Sequence, residues 1–182
     1  MKEQKDTYTL DVAGLTRELE LCPVSESLDI AAFVMFSDVE MTIACARELL
    51  KIVPEHDVLI TAESKGIPLA YEMSRQSGKK YLLARKSKKL YMKDTSEVSV
   101  RSITTDSVQR LYLDGSDARY ITGKNVLLVD DVISTGQSID ALEELVRQAG
   151  GEIAGRACVL AEGDAIGRED IIFLAPLPLF PK

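Results

Sequence analysis

An α/β protein with a parallel sheet flanked by helices is predicted by three features of the sequence. Short apolar runs rich in Val, Ile and Leu recur along the chain, unbroken by polar residues as strands buried on both faces are. Segments with helical spacing of apolar residues stand between them, the alternation that builds a parallel sheet covered on both sides. The stretch Lys88 to Gly123 fits neither pattern and is longer than a strand-to-helix connection needs. No repeat, low-complexity tract or linker divides the 182 residues. A single domain over 1–182 is therefore expected, with 1–37 as a small N-terminal arm or hood and 88–123 as a flexible β hood.

The elements follow in order. "TYTLDV" and "LTRELELCPV" flank Ala13-Gly14 and predict a hairpin or arm, with an extended apolar run at Ile30 to Phe36 behind it. Asp38 is a capping residue, and the spacing predicts a helix over 39–53 with Val39, Ile43, Ala46, Leu49 and Leu50 on one face, stopped by Pro54. "DVLITAES" predicts a strand, "GIPLAYEMSRQSG" a helix with Pro68 in its first turn, and "KYLLARK" a strand. Alternation over 95–114 suits a projecting hairpin. Val126 to Val129 is too short and too β-branched for a helix and predicts a central strand. After it, Ile139, Leu142, Leu145, Val146 and Ala149 predict a helix over roughly 136–149, ended by Gly150-Gly151. "EIAGRACVLAE" then predicts another strand and "DIIFLAPLPLF" a final one.

Composition narrows the function classes. There is no apolar run of the ~18 residues that a membrane helix needs, and "MKEQKDTYTL" lacks the charged-then-apolar pattern of a leader. A cytoplasmic protein without a membrane partner is expected. Cys22, Cys45 and Cys158 are odd in number, lack metal spacing and sit among apolar residues, which suggests reduced, packed thiols. His56, the one histidine, lies between Pro54 and a strand and is expected to be a loop residue without a role. A net charge of −7 and a pI near 4.9 argue against nucleic acid or anionic membranes as partners. The charge is unevenly spread. "KKYLLARKSKKLYMK", Lys79 to Lys93, holds seven basic residues and no acid, leaving 15 basic against 29 acidic residues elsewhere. Such a strip is better explained as a site for a polyanion such as pyrophosphate than as a solvated face.

"NVLLVDDVISTGQSID" carries the chemistry. It reads as strand, loop and helix, and in an open parallel sheet ligands bind at that junction. Ser134, Thr135, Gly136, Gln137 and Ser138 suit an anion cradle, because small residues let backbone amides close around a phosphate while hydroxyls add donors. Asp130 and Asp131, both expected at a solvent-facing strand end, would repel a phosphate alone. They make sense if the ligand also carries hydroxyls, to which carboxylates accept, or a hard cation. A phosphorylated sugar satisfies both halves. "ITAESKGIP" repeats the logic, with Lys65 and Gly66 at a second helix start.

Leu127 to Ser138 resembles the phosphoribosyl pyrophosphate signature of the type I phosphoribosyltransferases: apolar strand, two acids, two apolar residues, then Ser-Thr-Gly-x-Ser. The resemblance runs from Leu28 to Phe180 and is closest to the adenine and xanthine branches. It implies the type I phosphoribosyltransferase fold, a homodimer, and Mg2+ carried on the substrate's pyrophosphate without a direct protein ligand. It also implies that Asp130 and Asp131 bind the ribose hydroxyls while Ser134 to Ser138 wrap the 5′-phosphate. Glu63, Ser64, Lys65 and Gly66 resemble the family's pyrophosphate loop. Arg85, Lys86 and Lys89 fall on its Arg-Lys-x-x-Lys pattern, which often reaches into the partner's site; Lys88 is extra. "SEVSVRSITTDSVQRLYLDG" is similar to the family's mobile hood in length and character.

In adenine enzymes a hood Glu near Tyr adjusts a proton of the base. That pair is missing here, and Asp106 is the nearest carboxylate, so Asp106 joins Asp130 and Asp131 as a catalytic candidate. Xanthine enzymes place a Lys after a Glu on the strand following the long helix, whereas here Glu162 precedes Gly163, which favours adenine. Val132 is expected to pack on the base. Gln137 and "RQAGGEIAG" resemble the xanthine branch as much as the adenine one. The expected function is conversion of adenine and 5-phosphoribosyl 1-pyrophosphate to AMP and pyrophosphate in purine salvage, with a xanthine enzyme as the alternative. A reading of another class is a non-catalytic regulator resembling the pur operon repressor, which senses the same sugar pyrophosphate. It is disfavoured because only about 35 residues precede Asp38, without a basic recognition helix.

Overall fold

Val126, Leu127, Leu128 and Val129 are fully shielded from solvent because their strand is the middle one of five. The computed structural model describes residues 6–101 and 108–182. Its elements are β1 (Thr7–Val12), β2 (Leu15–Ser25), β3 (Leu28–Ala31), α1 (Val39–Leu50), β4 (Val58–Ala62), α2 (Ile67–Ser77) and β5 (Tyr81–Ala84). There follow β6 (Ser96–Arg101), β7 (Val108–Leu113), α3 (Gly115–Ile121), β8 (Asn125–Ile133), α4 (Gln137–Gln148), β9 (Glu152–Glu162), a short 3-10 helix (Gly163–Gly167), β10 (Ile171–Leu177) and β11 (Leu179–Pro181).

The main sheet is wholly parallel, in the order β10-β9-β8-β4-β5. Along the chain its strands therefore run outward one way from β4 to β5, then return to pass the other side through β8, β9 and β10. Side chains of β8 alternate between two cores. Leu127 and Val129 meet Met41, Cys45 and Leu49 of α1 and Leu69 and Met73 of α2. Val126 and Leu128 meet Ile139, Leu142, Leu145 and Val146 of α4. A second sheet, β1-β2-β3-β11, is antiparallel. Its β1–β2 hairpin turns at Ala13 and Gly14, both at positive φ (53° and 79°), the backbone handedness that tight hairpins favour.

Four expectations are corrected. Val39 (67% exposed) and Ile43 (38%) are not on the buried face of α1; Met41, Cys45, Ala46 and Leu49 are. The helix carries two apolar stripes, and the one bearing Met41 and Cys45 meets the sheet and α2. The helix also ends at Leu50, where the Lys51 N–H bonds back to the carbonyls of Glu48 and Leu49. "DIIFLAPLPLF" is two strands in different sheets: β10 extends the parallel sheet, Pro178 intervenes, and β11 pairs with β3. Finally, 88–123 is not a bare hairpin. It contains α3, capped by the Asp114 carboxylate accepting from the Ser116 N–H. The hairpin root is packed through buried Val98, Leu111 and Leu113, in the same core as α4. Asp106 lies outside the described residues.

Cys45 and Cys158 are buried and Cys22 half-buried, all as free thiols. Burial pushes the Cys45 and Cys158 thiols up to about 12, so both stay protonated. His56 is buried, with Nδ1 2.9 Å from the Pro54 carbonyl oxygen. Among the described residues no helix is long and apolar enough to cross a membrane.

Candidate active site

The parallel register pairs Ile60 of β4 with Leu128 of β8, so the two strands finish side by side and release two loops at one end of the sheet. Residues 63–66 lead into α2 and 134–136 into α4. This is the topological switch point of the sheet, where neighbouring crossovers leave in opposite directions and open a crevice.

How the helices begin distinguishes this crevice from the rest of the molecule. α1 and α3, away from it, start with Asp38 and Asp114, whose carboxylates accept from the Met41 and Ser116 N–H groups. α2 and α4, which open on it, start with Gly66 and Gly136 and have no side-chain cap. In α4 this leaves the first N–H groups for an outside acceptor, whereas in α2 the Ile67 N–H bonds the Ser64 carbonyl at 3.2 Å and Pro68 has no N–H to offer. Gly136 sits at φ 83°, where a side chain would strain the backbone. Gly66 is at φ −74°, and its requirement is spatial instead. A Cβ there would overlap the Thr61 hydroxyl and lie 3.0 Å from Asp130 Oδ1.

A cleft of about 440 Å³ lies between the loops. It is walled by Glu63, Ser64, Lys65 and Lys86 on one side and by Asp130, Asp131, Val132, Ser134, Ser138 and Glu162 on the other. A smaller hollow of about 50 Å³, formed by Asp130 and residues 132–139, adjoins it and is bounded by Thr135, Gly136 and Gln137. Of the pyrophosphate-loop and basic-strip residues singled out in the sequence, Gly66, Arg85 and Lys89 do not line the cleft. Arg85 reaches Glu63 at 3.4 Å and Lys89 bonds the Ser87 hydroxyl. Glu63 also accepts from the Lys86 N–H at 3.0 Å, which ties the start of the basic strip to the first loop.

The acid pair is less exposed than expected. Asp131 is 4% exposed, with Oδ2 buried and without a partner, and its N–H donates to Asp130 Oδ1 at 2.9 Å. Burial, and secondarily the Asp131 charge, holds the Asp130 carboxyl well above the usual carboxylate range, with Lys65 pulling the other way. The Thr61 hydroxyl is likewise buried and unpartnered. Burial also raises the Glu162 carboxyl, again opposed by the Lys65 charge. Lys65 thus acts electrostatically on two of the four carboxylates that border the cleft, Asp130 and Glu162.

One wall was missed. Ile30 to Val34 and Leu177 complete the cleft. The sequence offered a signal in "IAAFVMF", but that run read as a strand. In fact β3 stops at Ala31; the Ala32 N–H still bonds the Glu20 carbonyl at 2.9 Å, and Ala32 to Val34 continue outside any strand along the cleft, with Phe33 buried and Val34 half-exposed.

The phosphoribosyl transferase domain family matches residues 39–174. A hypoxanthine/guanine phosphoribosyltransferase from Methanothermococcus okinawensis is 36% identical over 115 residues, 63% of this chain and 58% of that protein. The one from Methanococcus voltae is 32% identical over 142 residues, 78% of this chain and 70% of that protein. The chain thus spans little more than half the length of the first of these relatives. Among solved structures, adenine phosphoribosyltransferase from Thermoanaerobacter pseudethanolicus superposes with a TM-score of 0.72 at 18% identity, covering 87% of this chain and 95% of that one. The Saccharomyces cerevisiae adenine enzyme gives 0.67 at 21% identity, covering 86% and 92%. The match across α1 to β10, with the parallel sheet and its two glycine-opened loops inside it, places this chain in the phosphoribosyl transferase domain family.

Proposed function

We propose that the chain transfers the phosphoribosyl group of 5-phosphoribosyl 1-pyrophosphate to a purine base, releasing pyrophosphate. The observation that carries this reading is the convergence of two uncapped helix starts and an acid pair on one cleft. In it, residues 134–138 hold the 5′-phosphate through backbone N–H groups and hydroxyls. Asp130 and Asp131 accept from the ribose hydroxyls, and the buried, partnerless Asp131 Oδ2 supports that role. Such bonds favour the ionised carboxylate and offset the burial that raises Asp130.

Glu63 to Gly66 with Lys65 and Lys86 face the pyrophosphate. Among the described residues no three His, Cys, Asp or Glu side chains converge as a metal cage. Mg2+ would enter on the pyrophosphate oxygens, which suits an ion that keeps substrate and water ligands. When bound it neutralises charge on the departing group. Asp130 and Asp131 stabilise the positive charge that develops at C1′, and the hood excludes water from it. Asp106 is our candidate for moving the base proton.

For the base, Glu162 in the cleft lining is an acceptor that suits the exocyclic amine of adenine, while Phe33, Val34 and Val132 of the same lining supply packing surface. Adenine is the reading we favour. A 6-oxopurine is the second reading, supported by the hypoxanthine/guanine names of relatives at 32–36% identity. We further propose a cytoplasmic homodimer. Lys89 lies off its own cleft, and beside it Leu90 and Tyr91 are fully and 69% exposed, as residues awaiting a neighbouring subunit would be.

The test is pyrophosphate release with Mg2+, the sugar pyrophosphate and each of adenine, hypoxanthine, guanine and xanthine. Release with adenine alone supports the first reading, and release with hypoxanthine or guanine the second. Tight binding of the sugar pyrophosphate without turnover of any base would replace both with a sensor.

A further inference from the structure

Arg168 follows the 3-10 helix that leaves the cleft at Glu162, and its side chain folds back over the phosphate loop. The space a Cβ would fill at Gly136 is taken by the Arg168 guanidinium, and Asp140 Oδ2 lies 3.7 Å from the same point. Arg168 is 29% exposed. It is fixed by two hydrogen bonds to Asp170 (2.9 and 2.8 Å) and approaches Asp140, in the first turn of α4, at 3.8 Å. The ion network continues through Arg156, which pairs with Asp170 at 3.2 Å and with Glu143, and through Arg147, which reaches Glu143 at 2.9 Å. Three arginines thus face three carboxylates along the helix that opens on the anion cradle.

Asp140 is the carboxylate of this network closest in sequence to the cradle, one turn into the helix whose amino end would meet the phosphate. An acid in a first turn favours the helix itself but opposes a phosphate bound at that end. We infer that Arg168 is a positioning residue for the 5′-phosphate: it cancels the Asp140 charge and braces Gly136 from behind. Its guanidinium does not line the hollow bounded by residues 134–138, so it acts through the loop and the field. Gly136 is doubly constrained as a result, by its φ and by the arginine packed against it.

The inference rests on the proposed function, and the experiment separates the two. Ribose 5-phosphate binding is measured by calorimetry on the wild type and on Arg168→Ala, Arg168→Lys and Arg168→Ala/Asp140→Asn, each checked for folding by its thermal melt. Arg168→Ala should weaken binding about fivefold, the scale of one partly exposed charge pair, and raise KM for the sugar pyrophosphate with kcat changed less than about twofold. Arg168→Lys should stay near wild type. The double variant should recover most of the loss, because removing the carboxylate makes its neutralisation unnecessary, whereas a merely structural defect would persist. Wild-type affinity in Arg168→Ala, or no recovery in the double variant, overturns the inference and leaves the proposed function standing. A wild type that does not bind ribose 5-phosphate overturns the proposed function and this inference with it.

Discussion

Gly66 and Asp130 press against each other across the two loops, so the spacing of the two anion sites depends on a missing side chain. Gly66→Ala would force the new methyl against Thr61 and Asp130. We expect about 1–3 kcal/mol of destabilisation from overpacking and a loss of turnover of at least about tenfold, read from denaturant melts and pyrophosphate release. Asp130 yields a prediction with a sign. Its folded carboxyl titrates above the unfolded one, so the folded state holds that proton more tightly. The associated stability is present below the unfolded carboxylate range and is lost as pH rises through the folded value. Asp130→Asn should therefore melt like wild type in acid and above it at pH ~8, while turnover falls by about 10²-fold or more. Greater instability than wild type at alkaline pH would contradict the burial argument. The turn at residues 134–136 was legible because small and hydroxyl side chains between an apolar run and a helical period mark a strand-to-helix junction. The burial of Asp131 and the wall at Phe33 and Val34 were not, because both depend on which segments fold over the strand ends.

At the scale of elements, the boundaries of β4, α4 and β9 follow from local pattern, since each is bounded by a glycine or a charged end, whereas β8 runs past Val129 through both acids to Ile133 because its pairing with β9 continues there. The face of α1 does not. Its sequence offers an apolar stripe through Val39 and Ile43 as well as one through Met41, Cys45 and Leu49, and only contact with α2 and the sheet selects the second. Val39→Lys or Ile43→Lys should accordingly change stability by less than about 0.5 kcal/mol, whereas Leu49→Ala should cost roughly 2–5 kcal/mol. The hood root gives a parallel case. Leu113 is fully buried in the core that α4 shares, so Leu113→Ala should also cost roughly 2–5 kcal/mol in a denaturant melt. A freely hinged hood would make that change nearly neutral. α3 was missed because a helix of seven residues carries too little periodicity to stand out, although Asp114 was available as its cap.

Across the whole molecule, an acidic chain places two lysines where the leaving group of the proposed reaction would sit. Lys65 and Lys86 line the cleft of a protein with net charge −7. Attraction of a polyanion to such a site is screened by salt. KM for the sugar pyrophosphate should rise severalfold between about 0.05 M and 0.5 M salt, and less steeply in Lys65→Ala/Lys86→Ala. The exposed Leu90 and Tyr91 beside Lys89 make the oligomeric state the matching measurement. Sedimentation should give about twice the 20.0 kDa chain mass, and Leu90→Asp/Tyr91→Asp should reduce it to one.

What the sequence by itself determined is whatever short-range chemistry encodes: the alternation of strands and helices from α1 to β9 apart from α3, the glycine-opened loops, the paired acids and the basic strip. Each is a local preference, expressed before distant segments meet. Tertiary structure alone decided that β4 and β8 are neighbours, so that two strand-to-helix loops about 70 residues apart in the chain share one cleft. It also decided that Asp131 is buried, that Ala32 to Val34 line the cleft, and that Arg168 returns to cover Gly136. Those outcomes depend on strand order and packing across the sheet, which no stretch of residues specifies alone.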